Sequence, residues 1–359
     1  MTTDFLIIGG GIAGVSAAAR LSHLGSVTLA ETETALAWHA SGRSAALYEP
    51  GYGGGAVTDL TRASGPYLAE ANGGVLSPRG FLMVGRQGDE AVFAADAEAL
   101  NLAPLTLDEA MAMVPILDRE RVTMAAHSDA ARDIDTDRLI QNFAREARGN
   151  GARIETGAAV TSIRRGNGGW QAETAKGPLS GRILINAAGA WADGIARMAG
   201  VQPLGLRPFR RSMARIPAPA GQDVSRWPMV FGPGETWYMK PDAGALIVSP
   251  AEEDPMEPHD AWADDMVLAE GLARYEDFVT EPVTRLISSW AGLRTFAPDR
   301  VLVIGADPDV RDFYWLAGQG GYGFQTSPAA SRHIADLIGG RTPEIGAAAT
   351  AQLSPARFA

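Results

Sequence analysis

The chain has 359 residues, 46% of them hydrophobic, so it is long enough for two domains with a sizeable core. Its 42 acidic residues outnumber its 31 basic ones, and the net charge of -11 argues against nucleic acid as a partner and against electrostatic docking on anionic lipid. Cysteine is absent, which excludes disulfides, thiolate metal sites and cysteine nucleophiles.

The N-terminus predicts a βαβ unit. Asp4–Ile8 is a short apolar run typical of a buried parallel strand, Ile12–Leu24 has helical spacing, and Val27–Ala30 is a second buried strand. The apolar opening lacks a basic start and is rich in glycine, so we interpret it as folded structure and not as a signal peptide. With no uninterrupted apolar stretch of about 18 residues, we expect no integral membrane segment.

The first turn carries the pattern G-x-G-x-x-G at Gly9, Gly11 and Gly14. The first glycine permits a tight turn, the second lets the backbone approach a pyrophosphate, and the third allows the helix to pack on the strand. Ile12 and Ala13 then start a helix whose free N–H groups favour phosphate. Glu31 ends the second strand, where its carboxylate can accept hydrogen bonds from ribose hydroxyls and disfavours NADP. The sequence therefore predicts a dinucleotide site.

The middle of the chain predicts a loop followed by a meander. Ser41–Gly55 is rich in glycine, serine and tyrosine and predicts a mobile loop. Asp137–Ala147 has the pattern of a helix, and Val160–Ile163, Trp170–Thr174 and Arg182–Asn186 have that of strands. This order fits a meander that leads into the central sheet.

Residues 201–297 change in character, because prolines interrupt them and short β-like runs dominate. Those runs are Ser212–Ile216, Trp237–Lys240 and Ala245–Ser249, and they predict a second, mostly antiparallel domain. We see no internal repeat.

The C-terminal part returns to the first domain. Val301–Ile304 and Phe313–Ala317 are short apolar strands, and a helix over Phe324–Ile338 follows. A second glycine cluster precedes that helix, at Gly318, Gly320, Gly321 and Gly323. Because two helix starts can serve the two ends of one extended cofactor, FAD is favoured over NAD.

Further motifs strengthen this interpretation. They are HASGRSAA (39–46), NAAGAWAD (186–193), RRS (210–212), YMKPDAG (238–244), WAGLR (290–294) and GQGGYGFQTS (318–327). In order and spacing they resemble the D-amino acid oxidase superfamily of FAD oxidoreductases over nearly the whole chain, with the greatest likeness to the bacterial FAD-dependent D-arginine dehydrogenases.

The resemblance implies an α/β fold, α+β overall, with a Rossmann-type FAD-binding domain and a β-rich antiparallel substrate (cap) domain. We expect the first at 1–75, 138–200 and 298–359, and the second at 76–137 and 201–297. It also implies non-covalent FAD, with Val160 meeting the adenine through its backbone. The candidate cofactor-binding residues are Gly9, Gly11, Ile12, Ala13, Gly14, Glu31, Ser41, Ser44, Ala45, Val160, Gly189, Gly320, Gly323 and Gln325.

Four residues match the family's substrate-binding positions. Arg294 matches the principal carboxylate clamp and Arg211 a second arginine, and a planar guanidinium can hold a carboxylate through two parallel hydrogen bonds. Tyr52 and Tyr238 match tyrosines that flank the substrate, and the loop position of Tyr52 suits a gate. We expect these four to bind and orient the substrate, and no protein base is required if the bound amine is already deprotonated.

Two positions depart from the arginine-specific pattern. Phe81 stands where that pattern has a guanidinium-binding glutamate, and Leu47 where it often has histidine. A buried cation without a counter-charge costs several kcal/mol, so D-arginine should be a poor substrate. With Phe324 and beside Gly321, these residues predict an apolar pocket. Glu49 in the same loop would restore a negative charge if the loop folds differently.

The sequence therefore predicts FAD-dependent oxidative deamination of a D-amino acid with an apolar side chain, by hydride transfer to flavin N5, giving an imino acid and then a 2-oxo acid plus ammonia. Two alternatives stay open. One is oxidation of a secondary amine, such as an N-methyl amino acid or proline, or of a 2-hydroxy acid. The other is a flavin-binding protein without turnover.

The remaining expectations concern partners and location. The five histidines lack metal-ligand spacing, so we expect no metal site. The acidic run Glu252–Asp254 is interpreted as a solvated face. The electron acceptor stays open among oxygen, a quinone and a carrier protein. We expect a cytoplasmic protein, and peripheral association with the membrane stays open.

Overall fold

The computed structural model describes residues 2–166 and 168–359. The α-helices are α1 Ile12–Leu21, α2 Gly55–Glu70, α3 Glu90–Ala99, α4 Leu107–Met113, α5 Thr136–Gly149, α6 Ala192–Met198, α7 Asp265–Glu276, α8 Gly323–Ile338 and α9 Gly346–Leu353. Single turns of 3-10 helix lie at Ala40–Arg43, Ala71–Gly73, Gly189–Trp191, Pro233–Glu235 and Pro355–Phe358.

The first half of the chain contributes β1 Thr2–Ile8, β2 Val27–Ala30, β3 Leu47–Tyr48, β4 Leu76–Pro78, β5 Phe81–Arg86, β6 Ala103–Leu105, β7 Val122–Ser128, β8 Arg132–Ile134, β9 Arg153–Glu155 and β10 Val160–Gly166. The second half contributes β11 Gly169–Thr174, β12 Leu179–Asn186, β13 Arg207–Pro217, β14 Met229–Phe231, β15 Tyr238–Asp242, β16 Ala245–Ser249, β17 Asp254–Pro255, β18 Ser288–Phe296, β19 Val303–Ala306 and β20 Phe313–Ala317.

The first sheet has the order β10-β11-β12-β1-β2-β9, with β20 beside β12 and β19 beside β20. Its centre is parallel, because β1 pairs in parallel with both β12 and β2, and β12 with β20. Helices α1, α5 and α8 cover one face through residues such as Val15, Phe143 and Ile334, and α6 lies on the other face, where Trp170 and Trp315 are buried. Helices on both faces of a parallel sheet are the doubly wound arrangement.

The second sheet has the order β17-β13-β16-β15-β14-β5-β7-β6, with β18 beside β13, and most of its pairs are antiparallel. Its two faces differ because successive side chains in a strand point to opposite sides. Leu82, Val84 and Val248 pack in a core with α4 and α7. The alternate residues, among them Phe81 and Met213, form a separate buried cluster against the segment 45–47.

The predicted mixed α/β class is confirmed, and two local predictions need correction. Helix α1 ends at Leu21 and not at Leu24, because the amides of Leu24 and Gly25 turn back to the Leu21 carbonyl. Residues 41–55 are not one irregular loop, since β3 pairs with β8 and a 3-10 turn precedes it. Among residues 2–166 and 168–359, every helix is too short or too polar to cross a membrane.

Candidate active site

A cleft of about 550 Å³ opens at the carboxyl ends of β1, β2 and β12 and is bounded on its other side by β13 and β18. Ligands of doubly wound sheets bind at this edge. The predicted cofactor residues that line the cleft are Gly9, Gly11, Ile12, Ala13, Glu31, Ser41, Ser44, Ala45, Val160, Gly189, Gly320, Gly323 and Gln325. The structure therefore brings together residues from six separate segments of the sequence.

The glycine turn explains why this end of the cleft is built from backbone. Gly9 has a φ of +109°, and a Cβ there would collide with the Ala187 carbonyl. Gly14 does not line the cleft, and a Cβ on it would collide with the Gly9 carbonyl. The third glycine thus lets α1 pack against β1, and Ser41 Oγ accepts a hydrogen bond from the Ile12 amide at the start of that helix (3.0 Å).

The Glu31 carboxylate is held in place at the end of β2. One oxygen accepts from the Gly10 amide (2.5 Å) and the other from the Glu33 amide (2.8 Å). Its side chain lines the cleft while the residue is only 9% exposed. Backbone donors therefore fix the carboxylate in an orientation from which its remaining lone pairs can accept from ribose hydroxyls.

Four buried polar atoms of residues that line the cleft have no hydrogen-bond partner within the described parts of the chain. They are His39 Nδ1, Arg211 Nη1, Thr295 Oγ1 and Gln325 Nε2. A buried donor left unsatisfied costs about 1–3 kcal/mol, and each such group requires an explanation. A bound polar ligand provides one, so these atoms fit the flavin dinucleotide and its substrate better than an empty apolar cavity.

Arg294 lies in the cleft, and among the described residues no carboxylate or carbonyl pairs with its guanidinium. The Gly321 backbone packs against it, since a Cβ on that glycine would be 3.2 Å from Nη1. Burial alone would lower the pKa of Arg294, but Tyr238, Tyr52 and Glu235 outweigh burial, and the pKa is raised. A half-buried permanent cation with no hydrogen-bond partner among the described residues is a site for an anion.

Arg211 lies on the same sheet face, opposite Gly292 in the β13–β18 register. Its Nε donates to the Glu252 carbonyl (3.0 Å) and its Nη2 to Glu253 (3.3 Å), which leaves Nη1 unpaired. The interpretation of Glu252–Asp254 as a solvated face holds for Glu253, which is exposed, and for the half-exposed Asp254, but not for the buried Glu252 side chain. Glu253 bridges Arg211 and Arg300, and Asp254 pairs with Arg210 (2.7 Å), so this run orients the arginines of β13.

A family model with the description DAO, FAD dependent oxidoreductase, matches residues 4–337. The chain belongs to this family. Human mitochondrial dimethylglycine dehydrogenase is 25% identical over an alignment of 373 positions, gaps included. The alignment covers 93% of this chain but only 42% of that protein. The chain thus spans less than half the length of that relative.

Two solved structures share the DAO fold over almost the full length of both chains. L-proline dehydrogenase from P. horikoshii has a TM-score of 0.84 at 24% identity, covering 99% of this chain and 98% of its own. Glycine oxidase from Geobacillus kaustophilus has a TM-score of 0.84 at 22% identity, covering 98% of both chains. These likenesses show the fold, and membership of the DAO family makes FAD the cofactor.

The two predicted tyrosines lie close to the Arg294 guanidinium but outside the cleft wall. The Tyr238 hydroxyl donates to the Met213 sulfur (3.3 Å), and Met213 does line the cleft. The Tyr52 ring meets Tyr322 edge-on at 5.3 Å, and burial raises the pKa of Tyr52.

Sequence reasoning missed Glu235, whose negative charge acts on both Tyr52 and Arg294. Glu235 has a φ of +50°, which a residue with a side chain rarely adopts. The surrounding sequence, GPGETWY, carries no pattern that marks it.

The predicted substrate pocket is only partly in the cleft wall. Leu47, Gly321 and Phe324 line it, whereas Phe81 and Glu49 do not. Phe81 stacks on Phe231 with ring centroids 4.3 Å apart, in the cluster behind Leu47, so it supports the wall and does not form it. The Glu49 carboxylate turns back to the Gly51 amide (3.1 Å).

The motif HASGR contributes residues that the sequence did not single out. Arg43 donates to the Ala261 (2.8 Å) and Ala291 (3.0 Å) carbonyls and pairs with Asp260. His39 Nε2 lies 3.0 Å from Glu33. The Arg43 contacts join the 3-10 turn Ala40–Arg43 to Asp260, Ala261 and Ala291, whereas His39 and Glu33 belong to the same N-terminal segment. No cluster of three potential metal ligands occurs within 2–166 or 168–359.

Proposed function

We propose that this DAO-family oxidoreductase oxidises the Cα–N bond of a small amino acid whose carboxylate binds Arg294. The observation that carries this proposal is the half-buried Arg294 guanidinium, which lines the cleft and has no hydrogen-bond partner among the described residues. A carboxylate would pair with it through two parallel hydrogen bonds and would satisfy the cation. FAD, when bound, accepts the two electrons and the hydrogen that leave the α-carbon.

The protein's own contribution is orientation. Arg294 fixes the carboxylate, and Arg211 Nη1 offers a further donor in the same cleft. Tyr52 and Tyr238 lie near the clamp, where each hydroxyl can turn towards a ligand. Holding the α-carbon in one orientation supplies much of a rate enhancement, because the entropy of alignment is lost on binding and not in the transition state.

For the side chain we propose an apolar D-amino acid. Leu47, Met213 and Phe324 line the cleft and supply an apolar wall, and the Glu49 carboxylate does not line it. A guanidinium or ammonium side chain would then lack a counter-charge among these residues. The resemblance of the sequence motifs to those of D-arginine dehydrogenases stays a prediction, and we do not extend it to the substrate.

A secondary amine is an equally strong candidate. Similar proteins include an L-proline dehydrogenase, named for a secondary amine, and a dimethylglycine dehydrogenase, named for a tertiary one, and another is a glycine oxidase. Arg294 would bind the carboxylate of all these substrates, and also of a 2-hydroxy acid, in the same way. What distinguishes them is the substituent on nitrogen and the size of the side chain.

The test is anaerobic mixing of the purified yellow protein with a panel of acids, following the loss of flavin absorbance near about 450 nm. The panel contains D- and L-leucine, D-methionine, D-phenylalanine, D-arginine, glycine, sarcosine, dimethylglycine, both prolines and lactate. Bleaching by apolar D-amino acids but not by L-leucine supports the first candidate, and bleaching by sarcosine or proline alone supports the second. A flavin that stays oxidised throughout contradicts both.

A further inference from the structure

Glu49 is a buried acid that is part of neither the Arg294 clamp nor the apolar wall of the cleft. It is 5% exposed, and one carboxylate oxygen accepts from the Gly51 amide (3.1 Å) while Oε2 is buried with no partner among the described residues. Burial raises the pKa of Glu49, which keeps the group closer to its neutral form. A buried, partly satisfied acid is costly, so its place in the fold calls for a reason.

Its backbone connects the two ends of the cleft. The Glu49 amide donates to Gln325 Oε1 (3.2 Å), and the Glu49 carbonyl accepts from the Tyr52 amide (3.1 Å). Gln325 starts α8, lines the cleft and has a buried, unpaired Nε2 among the described residues. Tyr52 lies beside the Arg294 clamp. One residue therefore contacts both the cleft-lining glutamine and the tyrosine beside the Arg294 guanidinium.

The chain after Tyr52 cannot hold that tyrosine by itself. Gly53, Gly54 and Gly55 have φ values of +107°, +66° and +49°, and all three are exposed. Such a glycine run restricts the backbone little. The turn closed by the Glu49 side chain is thus a local restraint on the tyrosine, beside the edge-on contact of its ring with Tyr322.

We propose that Glu49 is a positioning residue that couples the cofactor and substrate ends of the cleft. When the Gln325 amide donates to the cofactor, its plane is fixed, its Oε1 is held for the Glu49 amide, and the Glu49 turn presents Tyr52 to the substrate carboxylate. Coupling between two ligands is reciprocal, so a carboxylate must tighten cofactor binding by the same factor. This inference rests on the proposed function, because it takes a carboxylate as the second ligand.

The experiment measures FAD release from the diluted holoenzyme by the rise in flavin fluorescence, with and without saturating benzoate, a carboxylate that cannot be oxidised here. Saturation is established from the shift in the flavin spectrum. In the natural sequence we expect benzoate to lower the dissociation constant of FAD, obtained from the extent of release at a series of dilutions, by about fivefold or more, within the usual range of coupling. Glu49→Gln keeps an acceptor for the Gly51 amide and should keep this protection. Glu49→Ala should reduce it to within about twofold.

Asp59→Ala, an exposed acid-to-alanine change on the neighbouring α2, is the matched control and should leave the protection unchanged. Equal protection in Glu49→Ala and the natural sequence overturns the coupling. If benzoate leaves the flavin spectrum of the natural sequence unaltered, the Arg294 clamp itself is contradicted and the coupling with it. If Glu49→Ala fails to retain FAD, Gln325→Leu is tested in its place, because it removes the hydrogen bond between the Gln325 side chain and the Glu49 amide. Undiminished protection by benzoate in Gln325→Leu also overturns the coupling.

Discussion

The two ends of the cleft differ in the groups that form them, which are backbone groups at one end and side chains at the other. At the nucleotide end the contacts come from backbone: glycines that let chains approach, the amides at the start of α1, and a carboxylate held by two further amides. At the substrate end they come from side chains on β13, β15 and β18, which are far apart in sequence and meet only in the second sheet. Backbone sites constrain which residues can be present, whereas side-chain sites can change one residue at a time.

The largest expected effect is at the nucleotide end. Gly14→Val places a side chain against the Gly9 carbonyl, so α1 cannot pack on β1 and the phosphate-binding turn is lost. We expect protein without flavin, measured as the ratio of flavin to protein absorbance. Gly149→Ala is the control, because a Cβ there meets nothing within 4 Å. A yellow Gly14→Val protein would contradict the backbone account.

The next effect is at the substrate end. Arg294→Met removes the charge-assisted pair and should lower kcat/KM by about a thousandfold, since a buried charge pair is worth roughly 2–5 kcal/mol, while the bound flavin remains. Arg215→Met is the control, as Arg215 lies on β13 but pairs with Asp242 (2.9 Å) outside the cleft lining. If the two variants lose activity equally, the clamp is not at Arg294.

The difference between the two ends also explains what could be predicted. The βαβ unit, the glycine turn and Glu31 follow from local sequence, because a tight turn and a helix start are properties of consecutive residues. The packing of Phe81 behind Leu47 does not follow from local sequence. Whether Phe81 lines the cleft or supports the residues that line it depends on the register between β5 and β14. Glu235 was missed for the same reason, because only the fold brings it to Tyr52.

Leu47 and Phe81 provide a test of that packing. Leu47→Glu places a carboxylate in the cleft wall and should shift specificity towards D-arginine by about tenfold or more, since a counter-charge then replaces an apolar contact. Phe81→Glu buries the charge in the cluster behind and should destabilise the protein by several kcal/mol without that gain. Relative kcat/KM for D-arginine and D-leucine, with thermal unfolding, distinguishes them. A gain in Phe81→Glu alone would place Phe81 in the wall.

A smaller effect concerns the Tyr238 hydroxyl, whose partner is the Met213 sulfur. If the hydroxyl turns to the substrate carboxylate on binding, Tyr238→Phe should lower kcat/KM by about 10–100-fold, the value of a hydrogen bond to a charged group. Met213→Leu removes only the sulfur and should leave kcat/KM within about threefold. The reverse order would mean that the sulfur contact positions the ring and the hydroxyl does not meet the substrate.

The last effect is on stability and not on activity, and it lies away from the cleft, on α8, whose first turn carries Gln325. His333 is 2% exposed with both ring nitrogens unpaired among the described residues, and burial lowers its pKa from 6.5 to about 4 despite the opposing effect of Asp336. Above pH 6.5 the ring is neutral in both the folded and unfolded chain, so it contributes nothing to the pH dependence. As the pH falls from 6.5 towards 4, the unfolded chain binds a proton that the folded one does not, and stability is lost by on the order of 2–3 kcal/mol.

His333→Leu should remove that loss, whereas His23→Gln, at a side chain that is 55% exposed, should not. The measurement is the free energy of unfolding by urea between pH 7 and pH 4 in the three proteins. A His333→Leu protein whose stability falls as steeply as that of the natural sequence would mean that the acid sensitivity arises elsewhere. Since α8 carries both His333 and Gln325, a loss of flavin that parallels the unfolding would further show that the nucleotide end depends on the integrity of this helix, as a backbone-built site should.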